Sequence, residues 1–409
     1  MNVETLRAHD PTDGPQAWAR LAVALLVSTI GGIGLWSVVV ALPTIQREFG
    51  IDRADASLPY TATMIGFAVG GILMGRVTDR FGVVVPLLVG AVALCLGYVL
   101  AAQATEFWQF VAAQAVLIGM LGSSASFGPL VADISLWFLR RRGIAVAIVA
   151  SGNYLAGTIW PPILQYGIET VGWRMAFLVI GFACLVTLLP LALLLRRRAP
   201  VDRGSAPVSM HAGEAGGGHS KSMVQVLLIA AAIGCCVAMS MPQVHIVAYC
   251  GDLGYGPARG AEMLSLMLGF GIVSRLASGL VADRIGGLPT LIAGSALQTV
   301  ALMLYLPSDG LTSLYIVSAL FGLSQGGIVP SYALIVRDFF PAREAGGRIS
   351  LVLMMTIIGM ALGGWMSGAI YDWTGSYQAA FLNGIAWNLL NLVIAIWLYL
   401  GRRRLLQPA

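Results

Sequence analysis

Apolar residues fall along this chain in blocks of about twenty, the length a helix rising 1.5 Å per residue needs to cross a hydrocarbon core about 30 Å thick. Windows of that length mark residues 20–43, 57–77, 83–104, 107–136, 144–168, 174–195, 223–249, 260–282, 287–306, 311–336, 347–371 and 377–400. The pattern predicts an all-α membrane protein with twelve transmembrane helices. An even count puts both termini on one side. The polar stretches between blocks are short except at 196–222, which is rich in Gly, Ser, Pro and Arg, includes Gly216-Gly217-Gly218, and reads as a flexible linker. The expected organisation is a tail at 1–19, a six-helix bundle at 20–195, the linker at 196–222, a second bundle at 223–400 and a tail at 401–409.

The composition agrees, at 58% hydrophobic, 11% charged and a mean hydropathy of +0.83 over 409 residues. A soluble globular chain of this length does not need so much apolar surface. Charge adds an orientation. Most of the 24 Lys and Arg stand in the first tail and in every second loop, among them Arg76, Arg80, Arg140, Arg141, Arg142, Arg196, Arg197, Arg198, Arg337, Arg348, Arg402, Arg403 and Arg404. The alternate loops carry Arg47, Arg53, Arg174 and Arg259. By the positive-inside bias the termini are expected on the cytoplasmic side of a plasma membrane, a bacterial inner membrane in this reading. The net charge of +5 is thus a topology signal, and no nucleic-acid partner is expected. The cysteines, Cys95, Cys184, Cys235, Cys236 and Cys250, fall within or at the ends of apolar blocks without zinc or haem spacing. Buried free thiols are expected, with no metal and no cofactor. The polar start, with Pro11, Asp13 and Pro15, holds no short apolar core with a cleavage site, so the first block is read as the first span.

The two halves echo each other. Gly75-Arg76-Val77-Thr78-Asp79-Arg80-Phe81-Gly82 recurs as Gly279-Leu280-Val281-Ala282-Asp283-Arg284-Ile285-Gly286, and Trp173 and Phe177 recur at the same offset as Tyr377 and Phe381. Pro129 and Pro330, each followed by a charged helix exit, lie close to that offset. Parallel repeats of this kind predict two pseudo-symmetric bundles with a cavity between them. In each copy a glycine (Gly75, Gly279) suits close backbone approach, a carboxylate (Asp79, Asp283) can cap a neighbouring helix, and a base (Arg80, Arg284) can hold it. Such contacts would form a conformational latch on the cytoplasmic side; a plain charged turn is the alternative.

One block carries a charge near its middle. Within residues 263–287, Arg275 lies about 12 Å from Asp283 at the block's end, counting 1.5 Å per residue. A guanidinium does not shed its proton, and holding it near the midplane costs about 2.5–3.5 kcal/mol on insertion scales. Either another helix supplies an ion pair or a carbonyl cage, or Arg275 receives an anion passing through the protein.

These residues resemble a known family. The run from Gly75 to Gly82 resembles the signature of the major facilitator superfamily between its second and third helices, and the twelve spans, central linker and weaker second copy fit it over practically the whole chain. The resemblance implies two bundles that move a substrate by alternating access. Within that superfamily, Trp137-Phe138-Leu139-Arg140-Arg141-Arg142-Gly143-Ile144-Ala145, continuing to Ala150-Ser151-Gly152, resembles the entry to the fifth helix of the monocarboxylate transporters. Arg275 with Gly279 and Asp283 is similar to that branch's eighth helix, where the resemblance implies an arginine that binds the substrate carboxylate. The chain departs from the animal members, which carry an aspartate four residues before that arginine and a lysine in the first helix. Here Gly271 stands at the first position, the first span has no lysine, and the first-helix motif is reduced to Gly31-Gly32-Ile33-Gly34-Leu35-Trp36.

Polar side chains at the depth of Arg275 complete the candidate site: Ser123 and Ser124 on the fourth span, Asn153 and Tyr154 on the fifth, Ser324 and Gln325 on the tenth, with Tyr332 lower, after Pro330. For each alone, an interhelical hydrogen bond is the alternative. His245, after Pro242 on the seventh span, is a candidate for substrate contact or proton handling beside a structural role. Asp133 is a second proton-coupling candidate; pairing with Arg140, Arg141 and Arg142, or capping a neighbour, is its structural alternative. Trp36, Met354 and Met355 offer apolar walls.

One fixed positive charge suits one carboxylate, whose geometry a guanidinium fork matches, and a dianion would leave a second buried charge unmatched. The oxalate and formate exchangers, similar in overall pattern, pair their arginine with a lysine in the eleventh helix, whereas residues 351–365 contain no base. The expected function is secondary transport of a small monocarboxylate such as lactate or pyruvate, in symport with a proton. An organic anion exchanger or uniporter is the alternative; drug efflux would favour a buried carboxylate over Arg275. A membrane enzyme would need a catalytic cluster at one interface, and a receptor a folded extramembrane domain, and neither is visible in the sequence. The expected partners are the carboxylate, a proton and the lipid bilayer, around a monomer.

Overall fold

The structure, a computed structural model, describes residues 13–138, 140–197 and 220–406, and every regular element in them is helical. Of the expected tails at 1–19 and 401–409, residues 1–12 and 407–409 lie outside the described residues, as does most of the linker, 198–219 with Arg198 and Gly216-Gly217-Gly218, while 15–19 and 401–406 continue the first and last helices. Among the described residues twelve helices are long and apolar enough to cross a membrane: α1 (Pro15–Phe49), α2 (Arg53–Phe81), α3 (Val84–Gln103), α4 (Phe107–Trp137), α5 (Arg142–Val171), α6 (Trp173–Leu194), α7 (Lys221–Asp252), α8 (Pro257–Ile285), α9 (Gly287–Tyr305), α10 (Leu311–Phe339), α11 (Glu344–Thr374) and α12 (Tyr377–Gly401). The chain is an integral membrane protein. Several helices outrun their apolar blocks, α2 by a turn at each end, because hydropathy marks only the part in hydrocarbon while backbone hydrogen bonding carries the helix onward. Large apolar side chains such as Val179, Val186, Val226, Leu297, Val300 and Val393 stay exposed, as lipid-facing surfaces require.

Two compact units divide the chain. Among the described residues the first comprises 13–37, 66–138, 140–160 and 167–197; the second comprises 38–65, 161–166 and 220–406. The later part of α1 and the earlier part of α2 thus cluster with the C-terminal helices. Packing repeats between the halves: α1 meets α5 and α6 as α7 meets α11 and α12, and α3 meets α4 and α6 as α9 meets α10 and α12. The halves are pseudo-symmetric six-helix bundles in that sense.

Four of the spans are broken. α1 turns at Gly32, α5 at Ser151 and α10 at Gly326–Gly327, while α4 widens to a π-helix over Ala113–Gly122 and tightens to a 3-10 turn over Ser123–Ser126. Side chains from neighbours meet the backbone groups so exposed: Ser123 Oγ, for example, donates to the Gly31 carbonyl at 2.9 Å. The wide turn of α4 lets α2 come close, since a Cβ on Gly70 would strike the Met120 carbonyl and Ser124. The same helix pair of the second half, α8 and α10, approaches through Gly322 and Gly326, which face the Met267 and Gly271 carbonyls.

Candidate functional site

α8 reaches Arg275 past Gly271 and Ser274 and leaves it past Ser278 and Gly279, so small residues flank the arginine on both sides and another backbone can approach. α10 does so where its helix breaks. Gly326 lies against the Gly271 carbonyl and the Arg275 amide, its own N–H donates to Ser274 Oγ at 3.2 Å, and Gly327 abuts Ser278. Ser278 Oγ donates to the Arg275 carbonyl at 3.1 Å. Arg275 is half-buried beside this irregular turn. Non-helical backbone at membrane depth is tolerated where it is buried in protein or lines a wet cavity, and broken helices are where transporters of many folds hold their cargo.

From that turn a polar layer runs into α7. The buried Gln325 accepts a hydrogen bond through Oε1 from Gln243 Nε2, one residue past Pro242. His245 is fully buried, with Nε2 2.8 Å from the Gly364 carbonyl of α11. A carbonyl only accepts, so Nε2 carries the proton and Nδ1 is left as an acceptor, without a hydrogen-bond partner among the described residues. The Tyr60 ring of α2 packs on the same Gly364, and its buried hydroxyl also lacks a partner among those residues. Gln243 and Tyr60 escaped the sequence reading; a Gln beside Pro242 in an apolar run was the signal for the first, and nothing local marks the second. Tyr332 is drawn into a different network, donating to Asn391 Oδ1 at 2.9 Å, with Asn391 Nδ2 on Ser295 Oγ at 2.8 Å and Asn388 Nδ2 on the Ser295 carbonyl at 2.8 Å. That ties it to α9 and α12.

In the first unit Trp36 and Asn153 come together, the indole Nε1 lying 3.1 Å from the Asn153 carbonyl and 3.2 Å from its Oδ1. Asn153 and Ser123 line one small cavity with Ser28 and Phe127. Ser124 spends its hydroxyl on the Met120 carbonyl at 2.6 Å, and Tyr154 is buried. Asp133 has a partner the sequence did not suggest. Arg20 of α1 grips it with Nε and Nη2 at 2.7 and 2.8 Å, and Nη2 also reaches the Leu195 carbonyl at 2.9 Å. Of the arginine cluster, the Arg140 and Arg141 amides donate to the Asp13 carboxylate.

The repeated motif stands open. A Cβ at Gly75 or Gly279 would meet nothing within 4 Å, so the close approach expected there is not formed, and Asp79, Arg80, Asp283 and Arg284 are exposed. Among the described residues no three of His, Cys, Asp and Glu gather as metal ligands would. The five cysteines are buried free thiols.

The sequence profile of the Major Facilitator Superfamily matches residues 24–313 and 263–408. The chain belongs to the major facilitator superfamily. Among the relatives of this facilitator, monocarboxylate transporter 13 of Bos taurus is 27% identical over 403 residues, covering 95% of this chain and 91% of that protein. Monocarboxylate transporter 11 of Mus musculus is 28% identical over 394 residues, covering 92% and 86%. The fungal MFS-type transporter opdF of Penicillium oxalicum is 25% identical over 397 residues, covering 94% and 91%. In fold the facilitator is similar to a bacterial homologue of the human lysosomal transporter Spinster, with a TM-score of 0.72 at 15% identity over 95% of this chain and 97% of that one. Its relatives are transporters, and transport across the bilayer is the activity this membership carries.

Proposed function

We propose that this facilitator carries a small monocarboxylate of the lactate or pyruvate kind together with a proton, by alternating access, with Arg275 holding the carboxylate. The observation that carries the reading is a guanidinium in mid-span on α8 beside the broken turn of α10. The names of the mammalian relatives support the same cargo class. His245, with an open Nδ1, or the substrate itself takes the proton; Asp133 is already matched in charge by Arg20. Trp36, Asn153, Tyr154, Ser124, Gln325 and Tyr332 stand as further contacts to be tested by substitution. The arginine-rich loops support cytoplasmic termini in a bacterial inner membrane, and the Gly75–Arg80 and Gly279–Arg284 motifs stand as the candidate latch, to be tested by substitution.

The test is uptake of labelled lactate into proteoliposomes. An inward acid gradient is expected to raise the initial rate, and Arg275→Gln to lower it by about 10- to 100-fold at lactate well below KM. A rate indifferent to the gradient but dependent on lactate loaded inside would point to exchange; survival of full uptake in Arg275→Gln would remove the arginine from the site.

A further inference from the structure

Arg53, one of four loop arginines on the face opposite the termini by sequence, is buried in the second unit at the first turn of α2. Its Nη2 donates to both carboxylate oxygens of Asp252, at the end of α7, at 3.2 and 3.0 Å. Its Nη1 donates to Tyr377 Oη at 2.8 Å, and the guanidinium lies over the Tyr371 ring at 4.9 Å. Nε is buried with no hydrogen-bond partner among the described residues. Asp372 is occupied elsewhere, accepting from the Arg53 and Ala54 amides at 2.9 and 2.6 Å, which caps α2. Asp252 is therefore the acid hydrogen-bonded to the guanidinium. It holds on from the wet side: the Asp252 side chain is 36% exposed and that of Arg53 8%.

The pair forms part of the wall of a cavity of about 530 Å³, completed by Arg47 and Gln46 of α1, Gly251 of α7 and Gly254. That is the volume of a small-molecule pocket. Two of the four arginines of this face share it, and Asp252 is the one acid in its lining, so the wall carries a net positive charge.

We propose that this cavity is a receiving site for a small carboxylate on the face opposite the termini, where the incoming anion replaces Asp252 on Arg53 and Arg47 supplies the second cation. The ligand's class rests on the monocarboxylate reading; the charge and shape of the cavity do not. The exchange trades one carboxylate for another, so the fork keeps its charge-assisted hydrogen bonds while Asp252, already part-exposed, turns to water. A neutral compound offers no such trade. Filling the cavity thereby loosens the tie between the start of α2 and the end of α7.

Because the native cysteines are all buried, Gln46→Cys gives the full-length protein one accessible thiol in the cavity wall, and its labelling by a membrane-impermeant maleimide can be timed in proteoliposomes. Saturating lactate is expected to slow labelling several-fold while lactamide does not. Protection is expected to persist with Arg275→Gln and to be lost with Arg53→Gln and with Arg47→Gln, the latter an exposed side chain outside the buried network. Equal protection by lactamide would overturn the proposal, as would protection that vanishes with Arg275→Gln and survives Arg47→Gln, since lactate would then act from the central site. Protection by lactate without any lactate uptake by the wild type would support the receiving site and defeat the substrate reading alone.

Discussion

In the first unit the guanidinium of Arg20 is held on every side, by both oxygens of Asp133, by the Leu195 carbonyl and by the face of Trp137 at 4.7 Å. Its side chain is 5% exposed and that of Asp133 10%, so removing one partner strands a buried charge. That loss costs about 3–5 kcal/mol, whereas replacing both by apolar groups of similar volume is often neutral. Asp133→Ala is therefore expected to lower the apparent melting temperature in detergent sharply, and Arg20→Met with Asp133→Leu to restore most of it; a single variant as stable as the wild type would refute the structural role. Arg275 asks for a different measurement. A charge-assisted hydrogen bond contributes about 1.5–3 kcal/mol, so Arg275→Gln is expected to raise the KM for lactate by about 10- to 100-fold where any uptake survives. Arg275→Lys, which keeps the charge but not the fork, should fall between the two; a lysine variant as poor as glutamine would argue that geometry alone matters. Of these ionic residues the sequence singled out Arg275, as a charge in mid-block that needs either a partner or an anion, and Asp133, as a proton-coupling candidate, but not the Arg20 that holds Asp133. Arg20, Asp133 and Arg53 sit at block edges, where charges are ordinary, and their partners are 113 and 199 positions away.

At the scale of the helices, close packing decides which glycines matter. Gly70 of α2 faces the π-helical stretch of α4, and Gly326 of α10 faces α8 beside Arg275; at both, a Cβ would meet backbone, which cannot swing aside. Gly70→Ala and Gly326→Ala are expected to destabilise by about 1–3 kcal/mol, the usual range for overpacking, and Gly326→Ala to lower transport further by displacing the turn next to the arginine. Gly75→Ala and Gly279→Ala have open space and should leave the melting temperature unchanged, so any transport defect in them would report the latch. Thermal scans and uptake on the four variants separate these roles, and equal stability losses in all four would defeat the distinction. The twelve spans were legible because a helix in lipid must satisfy its own backbone and show apolar side chains outward. The breaks in α4 and α10 were not, although Gly326-Gly327 and the Gly122-Ser123-Ser124 run marked them, since hydropathy counts side chains and is blind to carbonyls that a neighbouring helix satisfies.

For the whole molecule the decisive quantity is the net charge that crosses with each cargo. A monocarboxylate accompanied by one proton carries none, so the loaded protein reorients without work against the membrane potential. A carboxylate moving alone would feel about 2.3 kcal/mol per 100 mV, roughly a 50-fold change in its accumulation ratio. Potassium gradients clamped with valinomycin are thus expected to leave lactate accumulation in proteoliposomes unchanged, while an acid gradient of fixed size drives it. His245→Gln should then separate the two halves of the cycle: if the imidazole carries the proton, drive by the acid gradient disappears while lactate–lactate exchange, which needs no net proton movement, continues. Accumulation that follows the potential with the 50-fold sensitivity would mean that Arg275 hands over an unaccompanied anion, and His245 on the Gly364 carbonyl would keep only a structural role between α7 and α11.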